Sequence, residues 1–534
     1  DLEDTRSLSN QYQGTIKEMN IHLNLNLIVN GKNIEVPETG QTLLDVLRDH
    51  CGLTSVKDGC SPQGQCGCCT VLIDGQARVS CVTPARRVAG REITTLEGLD
   101  QEIQDSWGTA LCATGGSQCG FCTPGIIMRF ADLKNREEIN KEKAERALHA
   151  HLCRCTGWQT ILEAWDVYRN ACPLPDQENS QRRAEIEGGT PQATGLDIAL
   201  GKGGFSADTV PPESLFAVLN SDKEWVVGEN LLEARQKAGK IQGRRTTISP
   251  EPPIELPEGD WIATLQTHWV DPAYLELDAS WCEPNGTPSS LLANGGAFGA
   301  KQTSFVQKAA QELANQYGKP VLAQFSREDS VRFGPKRPPV AGGIDANGKG
   351  ILRIARTPGI NESIQRFTSE IQIEEIDIPG PPTSSQIRAA GWAEVAALLS
   401  AAKGTPQTIT SPSGGSAKAQ VTSEGITVSV TCGDPLDEIT LRAYCIGAAH
   451  MAWSWVTSES LTVDKTGEIH DLTIRSFGIT PASMTPPITV IIEPDDGEPV
   501  NGSDAVFAAV ASATWLAQGT PTQWPTKLDL VTNK

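Results

Sequence analysis

The sequence predicts an α+β fold class, on three observations. Short stretches of alternating apolar and polar residues are interspersed with segments of helical period, so neither strand nor helix dominates. Eight of the 15 cysteines fall into two quartets near the amino terminus, one in a strand-rich setting and one among helices. Three stretches rich in Pro, Gly, Ser and Thr, at 173–195, 249–259 and 401–425, break up the remainder. A chain of 534 residues has room for about three or four domains.

The elements follow in order. Residues 1–18 precede the first methionine, Met19, and are expected to be a disordered extension. Leu23, Leu25, Leu27 and Val29 alternate with polar residues and end at Asn30-Gly31, a hairpin signal. Thr42 to His50 has helical period, and Val71 to Ile73 runs into Asp74-Gly75. Between them lies GCSPQGQCGCCTVLIDGQARVSC, with Cys60, Cys66, Cys69 and Cys81. Three thiolates on a glycine-rich loop and a fourth beyond a hairpin suit one [2Fe-2S] cluster, as in plant-type ferredoxins. One extra residue separates the first two cysteines. Cys68 is read as a bystander, because Cys66 and Cys69 keep the two-residue gap. The order of hairpin, helix and cysteine loop resembles a β-grasp ferredoxin domain, here 19–98.

The second quartet is Cys119, Cys122, Cys153 and Cys155. Thr123-Pro124 is a helix-start pair, and helices are expected over Gly125 to Lys134, Glu137 to His151 and Trp158 to Ala171. Four thiolates at helix ends would bury a second [2Fe-2S] cluster in a helical bundle over 99–172. Structural zinc also takes four cysteines and is the competing reading for either quartet alone. Two unlike quartets in this order favour iron–sulfur chemistry. Disulfides are disfavoured, since clustered thiols without a secretion signal point to a reducing compartment, and the cytoplasm is the expected location. Cys51, Cys112, Cys172, Cys282, Cys432 and Cys445 are expected to be buried small hydrophobes.

GCSPQGQCGCCTVLIDG, SQCGFCTPGIIMRF and HLCRCTGW resemble the iron–sulfur module of the molybdenum hydroxylases, the xanthine dehydrogenase and aldehyde oxidoreductase family, over about residues 20 to 172. The resemblance implies a second cofactor, molybdenum-molybdopterin. It places the Cys119 cluster next to the pterin and the Cys60 cluster further out, and it makes Gln118 a pterin contact.

Beyond a linker at 173–200, residues 201–534 are expected to form a shortened, mixed α/β region of molybdopterin-binding type. Asn294-Gly-Gly-Ala-Phe-Gly-Ala-Lys301 is a glycine-rich loop that fits neither a Walker A nor a Rossmann fingerprint. It resembles the family's GGGFGGK. The resemblance gives Gly296, Ala297, Phe298 and Gly299 to cofactor binding and sets Phe298 beside the substrate. IRAAGWAEVAALL resembles the segment that supplies an active-site arginine, here Arg388, whose planar fork suits an anionic or carbonyl-bearing substrate. Gly497-Glu498-Pro499 ahead of an apolar helix resembles the site of the catalytic glutamate. Glu498 would then be the general base, and a partly desolvated carboxylate has the raised pKa such a base needs.

The sequence also departs from the family. Val270 stands where a glutamine is expected near the metal, Gln302 where the xanthine enzymes carry a glutamate, and there is neither a GQG-type pterin loop nor a flavin domain. No FAD is therefore expected in this chain, and a separate electron acceptor or flavoprotein subunit is the expected partner.

Two functions follow from the sequence. One is hydroxylation of a heteroaromatic or aldehyde carbon of a small molecule with water, with electrons leaving through the Cys119 and then the Cys60 cluster. The other is an electron-transfer subunit whose carboxyl-terminal region is a docking scaffold. A formal charge of −20 argues against nucleic acid or anionic membrane as partner and suits a basic docking partner. No apolar run is long enough to span a membrane; Tyr444 to Trp455 is too short.

Overall fold

The computed structural model describes residues 24–136, 140–239, 248–302 and 304–526. The expected extension over 1–18 and the start of the expected helix at Glu137 lie outside them.

The first module is a five-stranded sheet. Strands β1 (Asn24–Val29) and β2 (Lys32–Pro37) form the hairpin that Asn30-Gly31 signals, with both turn residues at positive φ. β3 (Thr70–Ile73), β4 (Gln76–Val79) and β5 (Glu92–Thr94) complete the order β2-β1-β5-β3-β4, with β1 and β5 parallel. The helix after β2 starts at Leu43, under a capping box between Thr42 and Asp45. Beyond Asp45 it widens into a π turn over Val46–His50, burying Leu43, Leu44, Val46 and Leu47 beneath the sheet.

The second module is helical. Gln101–Thr114, Thr123–Asn135, Lys141–Ala147 and Gln159–Val167 surround Trp107, Phe130 and Trp165, whose rings stack or meet edge-on at centroid distances of 5.1–6.1 Å. Thr123 begins its helix and Pro124 occupies the first turn, where a missing N–H costs nothing.

The region expected to be a linker contains a helix, Gln177–Gly188, with Arg183 fully buried. Arg183 donates to Glu187 Oε1 at 3.0 Å and to the carbonyls of Pro435 and Val500 at 3.0 and 2.9 Å. A polar composition hid this, because the charges face protein rather than water. Likewise the stretch expected to be a break at 401–425 carries a hairpin, Ser416–Thr422 with Gly425–Thr431.

The remaining chain forms three sheets and a helical core. One sheet orders Trp225–Gly228, Leu215–Leu219, Val321–Gln324 and Ala279–Cys282. Another orders Ile371–Ile376, Gly350–Ala355, Val340–Ile344, Ala263–Thr267 and Gln523–Trp524. The third joins Ile409–Thr410 and the hairpin to Ile488–Ile492. Helices Trp392–Lys403, Glu438–Thr457 and Ser503–Ala517 pack together behind them, apolar on nearly every face, as befits helices enclosed by protein. No helix among the described residues is long and apolar enough to cross a membrane.

Candidate functional site

The four thiols of the first quartet are buried, each at 2% exposure or less. Cys60 lies within hydrogen-bonding reach of both Cys66 and Cys81, and Cys81 of Cys69. The Gln63 N–H donates to Cys60 Sγ at 3.2 Å, the kind of contact that supports cluster thiolates. Gly67 turns the loop at φ +74°, and a Cβ there would meet Ala150 O and His151 Nδ1 at 2.5 Å. That close approach joins the two modules: the Leu152 N–H donates to the Cys66 carbonyl at 2.9 Å, one residue before Cys153. Cys68 is buried beside Cys66.

In the second quartet, Cys155 and Cys119 bring their sulfurs to 3.6 Å, and Cys122 lies in reach of Cys153. Thr156 Oγ1 is 3.1 Å from Cys153 Sγ. Cys119 is half-buried and the other three are buried. No three His, Cys, Asp or Glu side chains among the described residues are arranged to hold a single metal ion. The sulfur pairs of the second quartet, Cys119 with Cys155 and Cys122 with Cys153, suit the two irons of one cluster, each held by two thiolates. Of the other cysteines, Cys282, Cys432 and Cys445 are buried as expected, while Cys51, Cys112 and Cys172 are only partly so.

The carboxyl-terminal region clasps the second quartet. Arg154, between its last two cysteines, makes a buried bidentate pair with Glu459 at 2.6 and 2.9 Å and donates to Pro272 O at 3.0 Å. A Cβ at Gly296 would stand 3.3 Å from Cys119 Sγ and 3.6 Å from Cys155 Sγ, so the glycine-rich loop lies directly on the sulfurs. Asn294 fixes that loop: its fully buried amide donates to the carbonyls of Gln118, Cys119 and Ala193 at 3.4, 3.2 and 3.2 Å.

Gln118 donates through Nε2 to Ala443 O at 3.2 Å, while its Oε1 is buried with no partner. Both it and Ser117, whose hydroxyl also lacks a partner, line a cavity of about 280 Å³. Leu174, Pro175, Gln177, Tyr444 and Thr440 form other walls. The volume is near the lower end for small-ligand sites, about 300 Å³, and orphaned buried polar atoms are what a bound ring edge would satisfy. Among the described residues no Lys or Arg lines it.

The structure brings Phe298 and Arg388 together and leaves Glu498 apart. The Arg388 guanidinium lies 4.3 Å from the Phe298 ring centroid, and its backbone N–H donates to the Phe298 carbonyl at 3.1 Å. Arg388 is already engaged, through Nε to Asp504 Oδ1 and Nη2 to Ser503 Oγ, both at 3.0 Å. Burial pushes the Asp504 carboxyl up from its ordinary value, against the pull of Arg388. The chamber that Phe298 and Arg388 share with Val270, Arg154, Arg337 and Trp455 measures about 30 Å³, far below the roughly 300 Å³ at which small-ligand sites begin.

Arg337 closes it, paired bidentately with Glu394 at 2.9 Å and lying 3.8 Å over the Trp455 ring. Nearby, buried Lys336 meets Asp271 at 3.1 Å. Glu498 is exposed, on the loop between Ile488–Ile492 and Ser503–Ala517, and does not line this chamber. Gly299, at φ +90°, could bear no side chain because Gln386 O lies 1.7 Å from where a Cβ would be. Ala297 is buried and Gln302 exposed.

A pterin ring therefore fits the cavity at Gln118 on volume and on unsatisfied donors and acceptors. A molybdenum centre does not fit the chamber at Phe298 and Arg388, which is too small and already filled by ion pairs. Sequence reasoning missed Arg154, Glu459, Asn294 and Arg337. Arg154 and Asn294 stand inside motifs it quoted, but their partners lie 101 to 305 residues away.

Two family models match, a 2Fe-2S iron-sulfur cluster binding domain over residues 27–96 and a [2Fe-2S] binding domain over 95–166. The chain is 39% identical over 159 residues to a probable xanthine dehydrogenase subunit from Bacillus subtilis, spanning 29% of this chain and 88% of the relative. To the nicotine 6-hydroxylase small subunit of Paenarthrobacter nicotinovorans it is 42% identical over 138 residues, 26% of this chain and 83% of the relative. To the aldehyde oxidoreductase of Megalodesulfovibrio gigas it is 40% identical over 151 residues, 26% of this chain but 16% of that protein's length. The fold is like that of the solved aldehyde oxidoreductase from Desulfovibrio desulfuricans, at 14% identity and a TM-score of 0.68, across 95% of this chain and 99% of that one.

Fold and thiols thus define an oxidoreductase with two [2Fe-2S] domains. The chain belongs to the molybdenum hydroxylase family, that of xanthine dehydrogenase and aldehyde oxidoreductase.

Proposed function

We propose that this chain is an electron relay of its family. Electrons enter at the Cys119–Cys155 cluster from a redox group that a partner chain presents at the Gln118 cavity. They leave through the Cys60–Cys81 cluster to a separate acceptor. The observation that carries the reading is the direct contact between the quartets, in which the Leu152 N–H, next to Cys153, bonds the carbonyl of the ligand Cys66. The carboxyl-terminal region acts as a scaffold that holds the second quartet through Arg154–Glu459 and Asn294. Small iron–sulfur subunits among the relatives, such as the nicotinate dehydrogenase small FeS subunit of Eubacterium barkeri, support a partner chain. The clustered thiols support a reducing compartment such as the cytoplasm.

An EPR-monitored redox titration of the anaerobically purified chain tests the relay. Two distinct reduced-state signals, each of one electron, are expected. A colourless, EPR-silent protein that contains zinc would overturn the reading.

A second reading, hydroxylation of a heteroaromatic or aldehyde carbon with water, is favoured by the pairing of Phe298 with Arg388. That reading gives Arg388 the substrate and Glu498 the proton, and it requires the loop that carries Glu498 to turn inward, since Glu498 is exposed here. Full turnover by Glu498→Ala in an active assembly would remove it.

A further inference from the structure

A cavity of about 460 Å³ lies between the first module and the sheet that Leu215–Leu219, Val321–Gln324 and Ala279–Cys282 share. It has no wall residue in common with the Gln118 cavity or the Phe298 chamber. The two-residue period of the strands creates it. Leu215, Ala217, Val321, Ala323 and Cys282 turn to a core shared with helix Val306–Tyr317. Phe216, Leu322, Gln324 and Ala279 take the opposite face and line the cavity, Leu322 paired with Phe216 and Gln324 with Ala279 across the ladder. Leu44 and Phe121, the latter between the ligands Cys119 and Cys122, close it from the iron–sulfur side.

The polar part of the lining is unbalanced. Seven acids and three bases line the cavity. The bases are already engaged, Arg48 with Asp208 at 2.8 Å, Lys57 also with Asp208, and Arg235 with Asp58 at 2.8 Å. Asp49, Glu213 and Glu229 are exposed and make no salt bridge among the described residues. Two buried polar side chains complete the wall. Gln324 is 5% exposed, and its side-chain amide makes no hydrogen bond among the described residues. Glu276 accepts from Lys301 through Oε2 at 2.8 Å, while its Oε1 takes no hydrogen bond among the described residues. Burial pushes the Glu276 carboxyl up from its ordinary value, against the pull of Lys301. Gln324 also borders a recess of about 120 Å³ together with Leu231 and Arg235, which line both spaces.

We infer that this cavity binds a planar organic cation with N–H donors, such as a protonated, amino-substituted heteroaromatic ring. Its faces rest among Phe121, Phe216 and Leu322, and its N–H groups bond the Gln324 carbonyl and Glu276 Oε1. Asp49, Glu213 and Glu229 attract the charge at the entrance. The volume falls within the range of small-ligand sites, about 300–1,000 Å³. A buried amide without a partner is satisfied by such a ligand, whereas an anion of the same shape would meet carboxylates alone. Binding here requires neither the relay nor hydroxylation.

Equilibrium dialysis of the iron-loaded chain at about pH 8 tests the site with proflavine, a planar diamino cation, against acridine, the uncharged ring without amino groups. One proflavine per chain is expected, held at least about 10-fold more tightly than acridine. Gln324→Leu, which leaves the net charge unchanged, is expected to weaken proflavine about 10-fold. Ala279→Phe, which narrows the cavity, is expected to abolish the single site. Glu213→Gln/Glu229→Gln, on the surface, is expected to weaken it about 2- to 5-fold at low salt and less at high salt. Iron content reports the fold of each variant. Uptake of several proflavines that salt removes and Gln324→Leu leaves unchanged would show diffuse attraction to an acidic surface and overturn the site. No uptake, or equal binding of acridine, would overturn it as well. Should Gln324→Leu and Ala279→Phe lose iron, the surface double variant decides, and parental affinity at low salt would overturn the site.

Discussion

Around the second cysteine quartet, buried polar atoms such as Gln118 Oε1 and Ser117 Oγ lack partners among the described residues, whereas around Phe298 and Arg388 the buried charges are paired with one another. Both regions lie close together, since Arg154 borders the quartet and also lines the small chamber. The difference separates a place built to receive something from a place that has become core. A native interior satisfies its polar groups, so an orphan beside a cavity marks a binding site. A set of mutually satisfied ion pairs marks structure, and removing one member leaves the other stranded.

The sharpest way to break the comparison is at the thiols. Cys122→Ser or Cys153→Ser is expected to lower iron from about four to about two atoms per chain and abolish one EPR signal, leaving the Cys60 quartet loaded. Equal loss of both signals would mean that the quartets do not load independently.

Next in size is the clasp. Arg154→Met strands Glu459 in the interior and is expected to cost about 3–5 kcal/mol in chemical denaturation, with Arg154→Met/Glu459→Met recovering much of it. An effect under about 1 kcal/mol would place the pair in water.

Acid sensitivity sharpens the contrast further. His450 is buried, its Nε2 3.0 Å from Thr480 O, and burial lowers its pKa from 6.5 to about 4. The unfolded chain then binds the proton more tightly than the folded one. Stability is full above about pH 6.5 and falls as pH drops toward about 4, by on the order of 3 kcal/mol. Denaturation curves for His450→Gln across this window are expected to flatten.

The smallest expected effect is at Gln118. Its Oε1 has no partner among the described residues and only the Nε2 bond to Ala443 O is lost, so Gln118→Leu is expected to change stability by no more than about 1 kcal/mol. A larger loss would make Gln118 a structural residue rather than the floor of a site.

How far the sequence could be read divides at the same boundary. The first hairpin, the cysteine loop and the Thr123 helix are local patterns, and spacing alone located the eight thiols. In the carboxyl-terminal region the decisive contacts are remote, with Arg154 meeting Glu459 305 residues away and Arg337 meeting Glu394 57 residues away. No periodicity announces such pairs. Arg183, in a stretch that reads as linker, shows the same limit. Glu498 was legible as a motif but not as a position, since only the fold decides whether a Gly-Glu-Pro turn faces a chamber or solvent.

The central claim is that the quartets carry metal and the chamber at Phe298 and Arg388 is closed. It is tested most directly by the molybdenum-to-iron ratio of the anaerobically purified chain, produced in cells able to make the cofactor. About four irons and no molybdenum per chain are expected. One molybdenum per chain, retained through gel filtration and lost in Phe298→Ala, would contradict it.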